Sequence, residues 1–355
     1  MRALHFESHG DPARLAFGER PDPAPGAGEV VVRVQAAALN HLDLFVLNGM
    51  PGIPVALPHI GGADGAGTVA AVGEGVTGWS AGDEVVINPG LSCGRCEFCA
   101  RGEESLCVGF RILGEHLDGT FGEYVSVPAA SLSAKPAHLS WAEAGAFGLT
   151  FLTAWRMLIT RAKLAPGETV LIHGIGGGVA LAALAIAKDA GAAAIVTSSD
   201  ETKLARAREL GADHTLNYRS CDVAREIRGL TGKRGVDVVV ETAGQATWLT
   251  SLKCAAKGGR VVTCGATTGP NPAEEIRLIF WNQLSILGST MGSRGDWEAM
   301  VRAVERGCLR PVVDRVLPLE RGREAYERML SGGQFGKLVL DATGAAARQT
   351  GQGEP

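Results

Sequence analysis

One stretch constrains the fold more than any other: Val170-Leu171-Ile172-His173-Gly174-Ile175-Gly176-Gly177-Gly178-Val179-Ala180. It reads as a buried strand, a glycine turn and the first turn of an alanine-rich helix, Val179–Gly191. A nucleotide pyrophosphate binds to backbone amides at a helix N-terminus, where side chains would block its approach. The spacing is not a strict G-x-G-x-x-G. Gly174-x-x-Gly177-x-x-Ala180 fits better, with alanine making the close helix–strand contact. A glycine motif alone is also compatible with an ordinary tight turn. Here strand and helix flank it as the motif requires, so Gly174, Gly177, Gly178 and Val179 are expected to hold a dinucleotide.

The surrounding rhythm extends this unit. Phe151–Thr160 is apolar at helical spacing. Strands are expected at Thr169–Ile172, Ala194–Thr197, Val236–Val240, Arg260–Cys264 and Leu284–Ser289, with helices at Thr202–Leu210 and Trp248–Lys257. Strands alternating with helices predict a doubly wound parallel sheet over 151–291. Residues 1–150 differ. Short β-branched runs at Glu29–Ala36, Gly67–Val72, Glu84–Ile87 and Glu123–Val127, parted by glycine turns, predict a partly antiparallel β domain. From 292 onward the expected elements are helices Asp296–Arg306 and Arg321–Leu330, strand Lys337–Leu340, and a frayed tail from Ala342. The fold class is therefore α/β.

The hydrophobic fraction of 46% supports a large core, and a net charge of −4 gives no basic footprint for nucleic acid or an anionic membrane. The longest apolar stretches, such as Val179–Ala187, fall far short of a bilayer span. The N-terminal residues lack the build of a signal peptide, so a cytoplasmic location is expected. One chemical motif is a false match. Gly78-Trp79-Ser80-Ala81-Gly82 fits the hydrolase G-x-S-x-G pattern, but a strand, Glu84–Ile87, follows it where a nucleophile elbow needs a helix.

The end of the second strand of the dinucleotide unit bears on cofactor choice. It reads Thr197-Ser198-Ser199-Asp200, with Lys203 one helical turn on. Hydroxyls and a lysine suit a 2′-phosphate, so Ser198, Ser199 and Lys203 point to NADPH rather than NADH. Asp200 keeps NAD open, and capping of the next helix by Ser198 and Ser199 is compatible with both.

Four of the eight cysteines crowd into Cys93-x2-Cys96-x2-Cys99-x7-Cys107. Four thiolates at short spacing close a tetrahedral shell that leaves no position for substrate, so one structural zinc per chain is expected. An iron–sulfur reading is weaker, because seven residues precede the last cysteine and Val108 follows it, where the ferredoxin run has three residues and a proline.

With these features the chain resembles the medium-chain dehydrogenase/reductase superfamily, both its zinc alcohol dehydrogenases and its quinone oxidoreductases. The landmarks are Gly62-Ala63-Asp64-Gly65-Ala66-Gly67-Thr68-Val69, Gly82-Asp83-Glu84-Val85, the cysteine lobe, the glycine loop and Gly336-Lys337-Leu338-Val339. The resemblance implies a GroES-like catalytic domain, 1–150 and 292–355, enclosing a Rossmann domain, 151–291. It also exposes a departure. Zinc alcohol dehydrogenases carry a catalytic zinc on a cysteine, a histidine and a third ligand. The matching positions here are Asn40, Ala63 and the ligand-free Gly145–Leu149, and the proton-relay hydroxyl is replaced by Leu42.

Asn40-His41-Leu42-Asp43 instead resembles the zinc-free quinone oxidoreductase branch, whose NADPH-using members pair a lysine with a tyrosine fifteen residues on, as Lys203 and Tyr218 do here. The implied chemistry is hydride transfer from NADPH to an activated C=C bond or quinone, with no catalytic metal. Asn40 is expected to donate a hydrogen bond to substrate oxygen, its alternative being a loop-stabilising amide. Asp43 and Asp64 are expected to organise the site. His41 and Lys337 are assigned to the cofactor pyrophosphate, Thr150 to the nicotinamide carboxamide and Gly265 to the cofactor. The partners are a small-molecule enone, quinone or related carbonyl, and a second or further copies of the chain in a homodimer or homotetramer, paired through strand Leu284–Ser289. Two alternatives stand beside this reading: a zinc-dependent alcohol or aldehyde dehydrogenase using ligands such as His59 or Asp64, and a non-catalytic NADPH-binding redox sensor.

Overall fold

The computed structural model describes residues 1–344. It divides into two compact units, Met1–Leu149 with Arg310–Pro355, and Thr150–Leu309. Most of the tail expected to fray from Ala342 lies outside the described residues. The return to the first unit comes at Arg310 rather than at 292, because helix Arg294–Glu305 is anchored within the second unit. Its Asp296, only 6% exposed, accepts from Arg156 Nη1 at 2.8 Å and from the Thr160 hydroxyl. A buried ion pair of this kind binds its elements together, since parting them would strand a charge in the interior.

In the first unit the central strand is Glu29–Ala38, whose valines and alanines are buried while Arg33 is exposed. Strand Asp64–Val72 pairs antiparallel with it along one side, bringing Ala38 opposite Asp64. Strand Lys337–Asp341 pairs antiparallel with its C-terminal part, bringing Ala38 opposite Val339. Two neighbours running against the same strand thus both begin where it ends. The sheet continues through Glu84–Ile87 and Leu132–Ala134 on one side and Val313–Pro318 on the other, with Tyr124–Pro128 also pairing to the central strand. A second, three-stranded sheet is ordered Leu15–Glu19, Arg2–Phe6, His59–Ile60. The chain leaves the central strand through Leu39, whose amide bonds Leu338 O, and enters helix His41–Asn48.

The second unit is a six-stranded parallel sheet. Its order is His214–Asn217, Ala193–Ser198, Thr169–Ile172, Val236–Glu241, Ala255–Thr263, Ser285–Gly288. Strand order reverses beside Thr169–Ile172, which creates a crevice at the carboxyl ends of the strands. Helix Gly178–Asp189 buries seven residues, among them four alanines, so its backbone approaches the sheet closely. The apolar run expected as one helix over Phe151–Thr160 is a helix, Gly148–Trp155, followed by a π turn, Arg156–Arg161. Strand His214–Asn217 gives no apolar signal in sequence because it lies at a sheet edge and is only partly buried. Ser285–Gly288 forms the opposite edge, and the preceding helix Ile276–Asn282 leaves Phe280 and Trp281 exposed.

Candidate functional site

The glycine turn in the second unit has the shape its sequence implies. Gly174 has φ +67°, and no atom lies within 4 Å of the place a Cβ would take. Beside Gly177 only Gly174 O comes near, at 3.6 Å. Gly177 is also the N-cap of helix Gly178–Asp189, so no side chain covers the amides of its first turn. Open space over unclaimed N–H donors is what a phosphate group requires, and a dinucleotide fits here.

The turn is held from below by a network that sequence reading missed. His173 contacts Thr197 Oγ1 at 3.2 Å through Nδ1 and Ser251 Oγ at 3.1 Å through Nε2. Ser251 Oγ donates to Glu241 Oε2 at 2.6 Å. Glu241 is fully buried and also accepts from Ala243 N, Gly244 N and the Thr247 hydroxyl. Burial holds the His173 pKa below its ordinary value, against the pull of Glu241. The ring is therefore neutral at pH 7, and the partners fix its tautomer. Ser251 donates to Glu241 and so accepts from Nε2–H, which leaves Nδ1 to accept from Thr197. Thr197 Oγ1 in turn accepts from Gly174 N at 3.4 Å, and Thr197 O accepts from Ile175 N at 2.8 Å. The only signal in sequence was a glutamate directly after the apolar run Val238–Val240.

The expected 2′-phosphate residues gather at neighbouring strand ends. Ser198 lies opposite Asn217 in register, and Tyr218 N donates to Ser198 O at 3.2 Å. Ser198 and Ser199 do not cap the following helix. Asp200 does, accepting from Thr202 N at 2.8 Å and Lys203 N at 3.3 Å. These backbone amides hold the Asp200 carboxyl below its ordinary range, helped by the Lys203 charge. Gly265 follows the end of strand Ala255–Thr263. Thr150 has a buried hydroxyl with no hydrogen-bond partner among the described residues.

In the first unit the antiparallel registers bring Asn40, Asp43, Asp64 and Lys337 together, with His41 beside them. All but His41 are at least nine-tenths buried. Asp64, fully buried, accepts from Lys337 Nζ at 2.8 Å, Asn40 Nδ2 at 3.1 Å and Leu149 N at 2.5 Å. Lys337 Nζ also donates to Asn40 Oδ1 at 2.5 Å. Two of the expected site residues have partners within the chain. Lys337, assigned to the pyrophosphate, is an internal partner of Asp64. Asn40, assigned to substrate oxygen, has both ends of its amide engaged inside the cluster, its Nδ2 also reaching Ala38 O at 3.4 Å. Neither feature could be read from sequence, because the pairing spans 273 residues and depends on strand register.

Asp43 closes the first turn of its helix, with Oδ2 accepting from Asn40 N at 2.7 Å and Oδ1 from Gly62 N at 3.0 Å. Burial pushes its pKa up to about 7, although those two amides and the Lys337 charge resist. His41 leaves more than a third of its surface open. The protein mass around it, and secondly the Lys337 ammonium, still lower its pKa.

The four cysteines converge, with all ligand sulfurs within 4.8 Å of one another. Cys96 and Cys99 Sγ lie 3.5 Å apart, and Cys93 and Cys99 Sγ 3.9 Å. Sulfurs arranged tetrahedrally about zinc at ~2.3 Å would be separated by about 3.8 Å. Cys107 Sγ accepts from Cys93 N and Gly109 N, both at 3.3 Å. Amides of Cys99 and Val108 bring the Cys96 thiol down to about 6. The lobe therefore fits a structural zinc, which four protein thiolates would saturate. Among the described residues this is the only set of three or more His, Cys, Asp or Glu side chains whose ligand atoms converge. His59, the alternative ligand, instead contacts Gly114 O at 3.0 Å. A catalytic zinc does not fit the Asn40 cluster, whose two carboxylates are already engaged, Asp64 by an ammonium and Asp43 by two backbone amides, where about three convergent ligands are needed.

Residues 26–137 match the alcohol dehydrogenase GroES-like domain and residues 178–306 the zinc-binding dehydrogenase domain. A zinc-type alcohol dehydrogenase-like protein of Schizosaccharomyces pombe is 36% identical over 88% of this chain and 90% of its own length. The chain belongs to the medium-chain dehydrogenase/reductase superfamily. This dehydrogenase/reductase is 34% identical to the acryloyl-coenzyme A reductase of Metallosphaera sedula, over 91% of its own length and 95% of the relative's. The crystal structure of an NAD-dependent alcohol dehydrogenase superposes with a TM-score of 0.92 at 49% identity, covering 96% of this chain and 99% of that one. It is an oxidoreductase built from a GroES-like and a Rossmann-like domain. No helix among the described residues is long and apolar enough to cross a membrane.

Proposed function

We propose that this enzyme reduces an activated C=C bond or a quinone with NADPH and without a catalytic metal. The observation that carries the reading is the buried Asn40–Asp64–Lys337 cluster, in which Asn40, at a position where the resemblance calls for a metal ligand, is engaged by an internal ion pair. The name of the acryloyl-coenzyme A reductase supports reduction of a conjugated C=C bond. A conjugated acceptor suits such a site, because the charge that develops on its oxygen needs only hydrogen-bond donors and a proton.

The dinucleotide would be held by the first-turn amides of Gly178 and Val179 above Gly174 and Gly177, with Gly265 and Thr150 as further contacts within the second unit. When bound it supplies the hydride. Lys203, Tyr218, Ser198 and Ser199 favour the 2′-phosphate, and the Asp200 carboxylate is turned onto its own helix amides rather than toward a ribose. A zinc-dependent alcohol dehydrogenase is the second reading, favoured by the name of the 49% identical structure. NADPH oxidation across a panel of enones, 1,4-quinones and simple aldehydes tests both. Turnover of the conjugated acceptors alone supports the first, turnover of the aldehydes alone the second, and turnover of none the non-catalytic binding protein. The same reading includes self-association through edge strand Ser285–Gly288, beside which Trp281 is 75% exposed. Light scattering should find two or four chains together.

A further inference from the structure

Glu241 carries a carboxylate into the interior of the second unit, fully buried. It accepts from Ala243 N at 2.8 Å, Gly244 N at 2.9 Å, the Thr247 hydroxyl and the Ser251 hydroxyl. Among the described residues no lysine or arginine pairs with it. A buried carboxylate without a countercharge is costly, and a neutral side chain of similar volume would be cheaper. Its hydrogen bonds run in two directions. Glu241 ends strand Val236–Glu241, and His173 follows strand Thr169–Ile172, its neighbour across the reversal of strand order. On one side the carboxylate holds Ala243 N and Gly244 N, in a segment laced to the next strand end by Thr267 N on Thr242 O and Thr268 N on Ala243 O. On the other it reaches the glycine turn through Ser251, His173 and Thr197, whose Oγ1 accepts from Gly174 N. A cofactor that crosses the crevice at this switch point lies between these two walls.

We infer that Glu241 is a positioning residue of the dinucleotide site, fixing both walls of the crevice through one chain of hydrogen bonds while touching no cofactor atom itself. The inference rests on the dinucleotide of the proposed reaction and not on the acceptor it reduces. The chain takes its direction from the carboxylate, which when ionised can only accept. Ser251 therefore donates to it and accepts from His173 Nε2–H, and the bare Nδ1 accepts from the Thr197 hydroxyl. That leaves a lone pair of Thr197 Oγ1 for Gly174 N–H, and Thr197 O takes Ile175 N–H. Two amides of the turn are thus drawn toward the sheet, while those of Gly178 and Val179 stay free for the pyrophosphate. Glutamine at 241 would break this order, because an amide accepts at one end only. Its oxygen belongs on the two backbone amides, so its NH₂ meets Ser251. Ser251 then donates to Nε2, and the ring proton moves to Nδ1. The Thr197 hydroxyl hydrogen loses its acceptor and turns into the space of Gly174 N–H.

The test compares the full chain with Glu241→Gln, Thr197→Val and Thr197→Ser. The last keeps the hydroxyl, and the two Thr197 variants decide the matter if Glu241→Gln does not fold. Nitrogen NMR of histidine-labelled protein reads the ring tautomer, with the His173 signals assigned by their loss in His173→Gln. Fluorescence titration reads the Kd for NADPH and for NADH. A third titration uses adenosine 2′-monophosphate and adenosine, which lack the pyrophosphate. The wild-type ring should carry its proton on Nε2, and Glu241→Gln should move it to Nδ1. Glu241→Gln and Thr197→Val should weaken the tighter dinucleotide roughly tenfold, the cost of one unmet buried hydrogen bond. Thr197→Ser should stay within about twofold of wild type, and every variant should bind the two fragments as wild type does. A wild-type proton on Nδ1 or an unmoved proton in Glu241→Gln overturns the inference and leaves the dinucleotide reading in place. So does unchanged dinucleotide binding in Thr197→Val, an equal loss in Thr197→Ser, or a loss shared by the fragments. Binding of neither dinucleotide by the wild type overturns both.

Discussion

Removing one member of the Lys337–Asp64 pair should cost far more than removing both. Both side chains are buried, Asp64 completely, and the two lie 2.8 Å apart. Lys337→Met strands a carboxylate with only the Leu149 and Asn40 donors. Asp64→Asn strands an ammonium. Either single change leaves an uncompensated buried charge, worth about 3–5 kcal/mol. In the double variant the thioether follows the lysine stem, and the asparagine oxygen still accepts from Leu149 N. A neutral replacement of similar volume should cost no more than ~2 kcal/mol. The coupling energy of the cycle is then about 4 kcal/mol or more, far above the few tenths expected of independent sites. Thermal unfolding followed by circular dichroism should show each single variant down on the order of 10 °C, with the double variant recovering most of the loss. A double variant as unstable as the two singles added together would show that the two charges are not partners, and the account of the site would fail with them.

Three further outcomes follow from the same structure. Lys203→Ala should weaken NADPH by about 10- to 100-fold through loss of one charge-assisted contact to the 2′-phosphate. NADH should be nearly unaffected, and equal loss for both would remove the 2′-phosphate assignment. Gly174→Val should abolish cofactor binding measured by fluorescence, because a branched side chain would fill the space above the turn and φ is +67° there; retained affinity would place the cofactor elsewhere. Asp43, raised to about 7, holds its proton in the folded protein across a range where the unfolded chain has lost it. Its contribution to stability is therefore complete below about pH 4 and fades as pH rises through 7, by about 4 kcal/mol in all. Carbon-13 NMR of the Asp43 carboxyl should give a midpoint near 7, and a midpoint near 4 would refute the burial argument.

What could be read in sequence was whatever depends on neighbours along the chain. The turn at Gly174–Gly178 and the lobe at Cys93–Cys107 each carry their geometry in local spacing, and both formed as expected. The parallel sheet was legible because strands covered on both faces are continuous apolar runs, as in Val170–Ile172 and Val238–Val240. The edge strand His214–Asn217 escaped for the opposite reason. Function-bearing contacts were harder. Lys337 reads in sequence as a strand-end lysine, and only the shared register of three strands at Ala38 carries it to Asp64. The His173–Ser251–Glu241 chain was likewise hidden, since it joins the ends of two strands to a helix 78 residues from the histidine.

The proposed reaction differs from that of a zinc-dependent alcohol dehydrogenase in needing no catalytic metal. The most direct measurement is zinc content per chain, determined by mass spectrometry on protein that is reducing an enone or 1,4-quinone in the same preparation. One zinc per chain, lost when Cys107 is changed to serine, is the predicted result. Two zinc ions per active chain would contradict it.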